Sequence, residues 1–322
     1  MHDFASFLQS CGSSGTLLAS LCGLVVIPFA AWVVLTLATP LIRAMRNDVS
    51  WQAPLAAIAA LLPGGIFLTL AVIGIVGASS SGCLQFSAGR IVFGAILTLT
   101  LIAIARATAL AFQRSAQVRG LIVTSCPANE HLSSMGQSIG VEIRVVADAT
   151  PLCALAGCSR PLILVSTNTL ERLSDQELAA ALWHERAHFL RRDVILAGTL
   201  SFFVDLLPLP NRQLVQAYST ARELAADQRA IVDADAHHLG SAILALAGST
   251  RTRHSMASLA EDSKNVKDRL LALFERPEYS GTIYTRRIAA TSTLLAITLL
   301  SFAPAIASAV NYHACMLKGV AS

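Results

Sequence analysis

Four apolar runs, residues 15–41, 53–78, 91–112 and 288–309, constrain this chain more than any other feature of its sequence. At about 1.5 Å per helical residue, each is long enough to cross a hydrocarbon core of roughly 30 Å. Between the third and fourth runs the chain changes character: 19 of its 24 Lys/Arg and 18 of its 20 Asp/Glu fall within residues 113–287. With 54% hydrophobic residues, 14% charged residues and a mean hydropathy of +0.60 over 322 residues, a soluble globule is excluded. The expected fold is a mainly α membrane protein with four transmembrane helices and one α/β domain. Its parts are a three-span region (1–112), a polar domain (113–287), and a last span with a short tail (288–322).

Orientation follows from the basic residues beside the runs. Arg43 and Arg46 follow the first, Arg114 and Arg119 the third, and Arg286 and Arg287 precede the fourth. With four spans all three pairs share one side, which the positive-inside rule makes cytoplasmic, together with the polar domain. The first run lacks the basic start of a signal peptide and reads as a true span. Arg106 reads as a snorkelling residue, and Pro28 and Pro63-Gly64-Gly65 as kinks in the spans. Cys11, Cys83 and Cys315 then lie outside, where a disulfide can form. Cys126, Cys153 and Cys158 lie inside, reduced and without zinc-finger spacing. Charge is nearly balanced in the polar domain, with no basic stripe interleaved with aromatics, so direct nucleic-acid binding is not expected.

In the polar domain, "GLIVTS", "VEIRVVAD" and "RPLILVST" read as strands, with a small helix around 131–139 between the first two. From Asn168 the pattern turns helical, and Ser174 and Glu177 have capping-box spacing. The helix so started carries "WHERAHFLRRD". His184 and His188, at i and i+4, share one face and can offer two imidazole nitrogens to one metal, with Glu185 beside them as a base for bound water. Two histidines do not complete a catalytic site. "YSTARELAADQRAI" supplies Glu223 as a third ligand, leaving a fourth position open as in catalytic zinc sites. Asp227, four residues on, is placed to accept the second ring N–H of His184.

Zinc binding also decides topology. If residues 194–210 crossed the membrane, Glu223 would be on the far side from the histidines. This segment is short for a span, carries Asp205 and contains two prolines. A helix packed against the spans or dipping into the inner leaflet is expected instead.

The stretch "APLCALAGCSRPLILVSTNTLERLSDQELAAALWHERAHFLRRDVI" and the later "RELAADQRAI", between three apolar runs and a fourth, resemble membrane zinc peptidases of the beta-lactamase and methicillin-resistance regulatory sensor-transducer type (BlaR/MecR-type). The resemblance implies a gluzincin-like peptidase domain with one Zn2+ on His184, His188 and Glu223, and Glu185 as general base. It also implies residence in a bacterial inner membrane, and regulated cleavage of the chain itself or of a cytoplasmic transcriptional repressor. One departure is expected: with twelve residues after Val310, no penicillin-binding sensor is expected after the last span. A signal is therefore expected through the outer loops, the bilayer or a partner.

Peptidase geometry places an extended substrate along an edge strand near Ala154, Leu155 and "PLILV". Arg222, His237, His238 and His254 are the candidates for an oxyanion stabiliser. The expected partners are a protein or peptide substrate, the lipid bilayer and a second copy of the chain in a homodimer. Three other readings stay open. One is intramembrane cleavage in the manner of site-2 proteases, against which Glu223 sits among Arg222, Asp227 and Arg229, residues expected in water. Another is a quality-control or prenyl-protein type zinc protease. The third, of a different class, is a signalling receptor or scaffold with a structural metal.

Overall fold

The computed structural model describes residues 15–44, 49–80, 87–158, 160–247 and 263–274. The fourth apolar run, Arg46, Arg286, Arg287, His254, Cys11, Cys83 and Cys315 lie outside the described residues. The first three apolar runs form helices α1 (Gly15–Ala44), α2 (Val49–Ser80) and α3 (Ser87–Thr124). Two stretches, Pro54–Ile75 and Phe93–Thr124, are long and apolar enough to cross a membrane, and Leu24–Pro40 is a shorter apolar helix. Leu24, Phe67, Ala71, Ile96, Ala103 and Ala107 pack these three helices against one another.

Helix α3 does not stop where its apolar run ends. It runs 38 residues in all, from Ser87 to Thr124, so "GLIVTS" falls at the end of a helix and is not the strand its β-branched residues suggest. The cause is cooperative. A long helix adds residues without a new nucleation cost, and Val118, Leu121 and Ile122 fall at helical spacing over one face of the sheet.

That sheet contains β1 (Cys126–Pro127), β2 (Glu142–Val146), β3 (Cys153–Ala156) and β4 (Leu162–Ser166) in the order β1-β2-β4-β3. The β2–β4 pair is parallel and the other two are antiparallel. Helix α4 (Glu130–Ile139) connects β1 to β2, capped by Asn129 at its start and by Gly140 in the left-handed region at its end. Strand β4 is buried at all five positions, because α3 covers one face while α4 and the HExxH helix cover the other. Strand β3 forms one edge.

A short helix, α5 (Thr167–Arg172), leads to α6 (Asp175–Leu190), which opens with the expected Ser174/Glu177 capping box. Leu178, Ala181 and Leu182 of α6 pack on Ile143, Ile163 and Val165 of the sheet. Helices α7 (Asp193–Leu206), α8 (Arg212–Ala230), α9 (Ala236–Ala247) and α10 (Ser263–Phe274) follow.

Helix α7 is the segment whose topology the zinc argument turned on. At 14 residues it spans about 21 Å, less than a hydrocarbon core. It packs against α2 and α3 through Phe202, Phe203 and Leu206. Gly64 of α2 allows this approach, since a Cβ there would stand 2.2 Å from the Phe203 carbonyl oxygen. Pro63-Gly64-Gly65 is thus a helix crossing point within an unbroken α2. Arg114 pairs with the Asp205 carboxylate and the exposed Arg106 hydrogen-bonds the Asp205 carbonyl, so both tie α3 to α7. Helix α8 lies on a run of small residues, Ala56, Ala57, Ala59 and Ala60 of α2, through Leu214, Ala217 and Tyr218. The helix that carries Glu223 is therefore mounted directly on a candidate span.

Candidate metal centre

His184 and His188 occupy one face of α6, with ring centroids 4.7 Å apart and planes at 89°. Helix α8 brings Glu223 opposite them. His184 Nε2 is 3.1 Å from His188 Nε2 and 3.2 Å from Glu223 Oε2, and His188 Nε2 is 3.6 Å from the same oxygen. These three donors fit a metal. Ligands about 2.0–2.1 Å from a tetrahedral zinc stand roughly 3.3 Å apart, and the three separations bracket that value.

The other ring nitrogens favour the same use. His184 Nδ1 contacts Asp227 Oδ1 at 2.8 Å, and His188 Nδ1 pairs with Asp193 Oδ2 at 2.7 Å. Asp193 hydrogen-bonds the His188 ring and the Asp227 charge stands against His184 Nδ1, which leaves both Nε2 atoms at the common point. Asp227 thus stands beside His184, the histidine its spacing pointed to. The sequence reading did not include Asp193. Five residues beyond His188, it would leave that face if α6 continued. Instead Arg192 adopts φ 56°, ends α6 and starts α7, which turns Asp193 back toward the site.

This left-handed residue yields a direct test. Arg192→Val puts a β-branched side chain where φ is positive, so the expected loss is about 1–2 kcal/mol. Arg192→Gly is expected to retain full stability in thermal unfolding. If both variants unfold alike, the turn does not hold Asp193.

The sequence also gave no sign of Arg269 on α10, which donates from Nε and Nη2 to the two oxygens of Asp227, both at 2.7 Å. Its Nη1 lies 3.7 Å from Glu223 Oε2. Arg222, a candidate oxyanion stabiliser, donates from Nε and Nη2 to Glu223 Oε1 at 3.2 and 2.7 Å and lines the cleft. His237 and His238 do not line it; they sit at the start of α9, their backbone N–H groups on Asp235. Of the three charges around Glu223 expected in water, Arg229 is solvated, its side chain 42% exposed, and the other two are not. Arg222, Asp227 and Arg269 are buried at 9%, 2% and 6% exposure, a state that their pairing makes tolerable.

Electrostatics follow from that pairing. Burial opposes ionisation of Glu223, but the charges of His188 and Arg222 hold its carboxyl well below the usual range. Burial likewise opposes ionisation of Asp227, and Arg269 and His184 more than offset it. His184 is pushed to about 10: burial alone would lower it, but the Asp227 charge raises it. His188 is raised too, against burial, by Glu223 and Asp193.

Glu185 lines the same cleft at 9% exposure, and its Oε2 accepts the Leu155 N–H at 2.8 Å. Cys126, Cys153 and Cys158 are free thiols. Burial, then Glu185, pushes the Cys153 thiol well above its ordinary value and keeps it neutral. Of the two edge-strand residues expected to meet substrate, Leu155 directs its backbone to the free edge and Ala154 directs its own to β4. The alternation is set by the Ser166 N–H donating to the Leu152 carbonyl at 2.8 Å, which fixes 152, 154 and 156 as the residues bonded to β4.

Over residues 86–273 the sequence matches the family described as BlaR1 peptidase M56. The matched stretch starts beside α3 and ends within α10, so it contains every residue of this centre. No curated protein matches the chain.

Proposed function

Because the chain belongs to the BlaR1 family of membrane metallopeptidases, we propose that it is an integral-membrane zinc endopeptidase acting on a cytoplasmic or membrane-associated protein. The observation that carries this reading is the convergence of His184, His188 and Glu223 from two helices, beside Glu185 and the free edge of β3.

In the proposed mechanism His184, His188 and Glu223 would hold one zinc, which would supply Lewis acidity toward a scissile carbonyl and toward a water nucleophile. Asp227 and Asp193 keep the two imidazoles in register. Arg222 keeps Glu223 ionised, and Arg269 holds the Asp227 carboxylate. Glu185 accepts a proton from the attacking water and returns it to the leaving amine. Its carboxylate rests on the Leu155 amide, which has a single hydrogen to donate. A substrate carbonyl that pairs with Leu155 takes that hydrogen and frees Glu185 for the water.

The proposed setting is regulated proteolysis in signalling, with cleavage of a repressor or of the chain itself. Four spans with a cytoplasmic peptidase domain over 113–287 agree with the basic residues and with an α7 too short to cross. The test is a zinc assay with peptide hydrolysis on the purified full chain in detergent. About one zinc per chain is expected, with hydrolysis abolished by a chelator and restored by zinc. Protein that holds no zinc, or that cleaves after complete removal of metal, overturns the reading.

A further inference from the structure

The cleft at the metal centre does not end at Leu155. Its lining runs along β3 from Pro151 to Leu155, and a second cavity of about 440 Å3 begins where the first stops, sharing Leu155 and Val194 with it. The walls of this second cavity are Phe189 and Leu190 from the end of α6, Val194 and Ile195 from the start of α7, and the turn after β3 with Pro161. Gly157 shapes that turn: it has φ 84°, and a Cβ there would stand 2.7 Å from the Arg160 carbonyl oxygen. Among the described residues the walls are mainly apolar, with Arg192 the one charged residue. Leu190 and Ile195 are 49% and 50% exposed at the mouth.

The free edge of β3 says what this cavity faces. Cys153 and Leu155 direct their backbone groups outward, as the bond between Ser166 and Leu152 requires. A strand that pairs antiparallel with them runs opposite to β3. Its residues N-terminal to the metal centre then pass Leu155 and the turn at Gly157, beside the second cavity. Alternate side chains of that strand point to one face, so a side chain upstream of the scissile bond enters it.

We propose that the cavity bounded by Phe189, Leu190, Val194, Ile195 and Pro161 is the subsite for a large apolar side chain on the N-terminal side of the cleaved bond. This rests on the peptidase reading and makes it narrower. The substrate is an extended segment with a Leu, Met or Phe-like residue upstream of the cut. A folded surface or a uniformly polar linker does not satisfy the site.

The test uses zinc-loaded full chain in detergent and a set of quenched fluorescent peptides varied singly, upstream and downstream of the bond, among Leu, Phe, Ala, Asp and Lys. Wild type is expected to prefer Leu or Phe over Asp or Lys at one upstream position by about tenfold or more in kcat/KM. Ile195→Lys, a change at the exposed mouth, is expected to reverse that preference toward Asp while leaving the downstream preference unchanged. Leu190→Lys is the second variant, and a zinc content of about one per chain shows each variant folded. Peptide binding to the Glu185→Gln protein, read by fluorescence anisotropy, should follow the same order without turnover.

If wild type cleaves the set with no upstream preference, or Ile195→Lys leaves that preference intact, the subsite assignment fails and the peptidase reading stands. If Ile195→Lys lowers binding to lipid vesicles and leaves peptide preference unchanged, the mouth faces lipid and the assignment fails. If no peptide is cleaved under zinc-loaded conditions, both fall.

Discussion

Glu185→Gln is expected to retain about one zinc per chain and to lose peptide hydrolysis by roughly a thousandfold. The two parts of this expectation separate chemistry from structure. The carboxylate does not belong to the cluster of His184, His188 and Glu223, so removing its charge leaves the three ligands intact. Glutamine keeps an oxygen that can accept the Leu155 N–H, so the link between α6 and the β3 edge survives. What is lost is the group that accepts a proton from water. A Glu185→Gln protein that cleaves at the wild-type rate eliminates the mechanism, and one that loses zinc as well shows that Glu185 acts through the metal site's structure. The same variant identifies substrates. Proteins cut in cells carrying wild type and intact in cells carrying Glu185→Gln are those whose cleavage depends on this base.

The second large effect is the pH dependence of metal uptake. In metal-free protein His184 is raised to about 10 and so carries a proton around neutral pH, and His188 is raised as well. A metal ligand must be unprotonated, so zinc competes with the His184 proton. Apparent affinity is expected to strengthen by about tenfold per pH unit in that range, for the one proton displaced from His184. Calorimetry in buffers of different ionisation enthalpy measures the protons released. Asp227→Asn removes the charge that raises His184, and should cut the release near neutral pH by about one proton. An affinity independent of pH between 6 and 8, to within about a factor of two, would mean that these imidazoles are not the ligands.

Metal-free stability responds in the direction the shift dictates. The folded value for His184, about 10, lies above its ordinary 6.5. Its contribution is complete below pH 6.5 and is lost as pH rises through about 10.

The parts of this fold that were legible in the sequence are those governed by short repeats. The i, i+4 spacing of His184 and His188, the Ser174/Glu177 box and the Glu223 to Asp227 spacing each lie within about one helical turn. A helix places such residues wherever it packs. Apolar length was legible for the same reason, since a hydrophobic run long enough to cross a bilayer shows itself without reference to the rest of the chain. Where propensity was read alone, at "GLIVTS", it failed, because the helix entering that segment was already formed and its apolar face had a sheet to cover.

The sequence by itself determined that a His, His, Glu set was available within helical segments. Only the tertiary structure decided what surrounds that set. Asp193 reaches His188 because Arg192 reverses the chain, a backbone event that side-chain periodicity does not encode. Arg269 reaches Asp227 across 42 residues, and Glu223 rests on a helix held by the alanine face of α2. These contacts depend on how separate helices pack, a sum of many weak apolar contacts over the whole molecule. A local pattern specifies which side chains share a face, and packing specifies what that face meets.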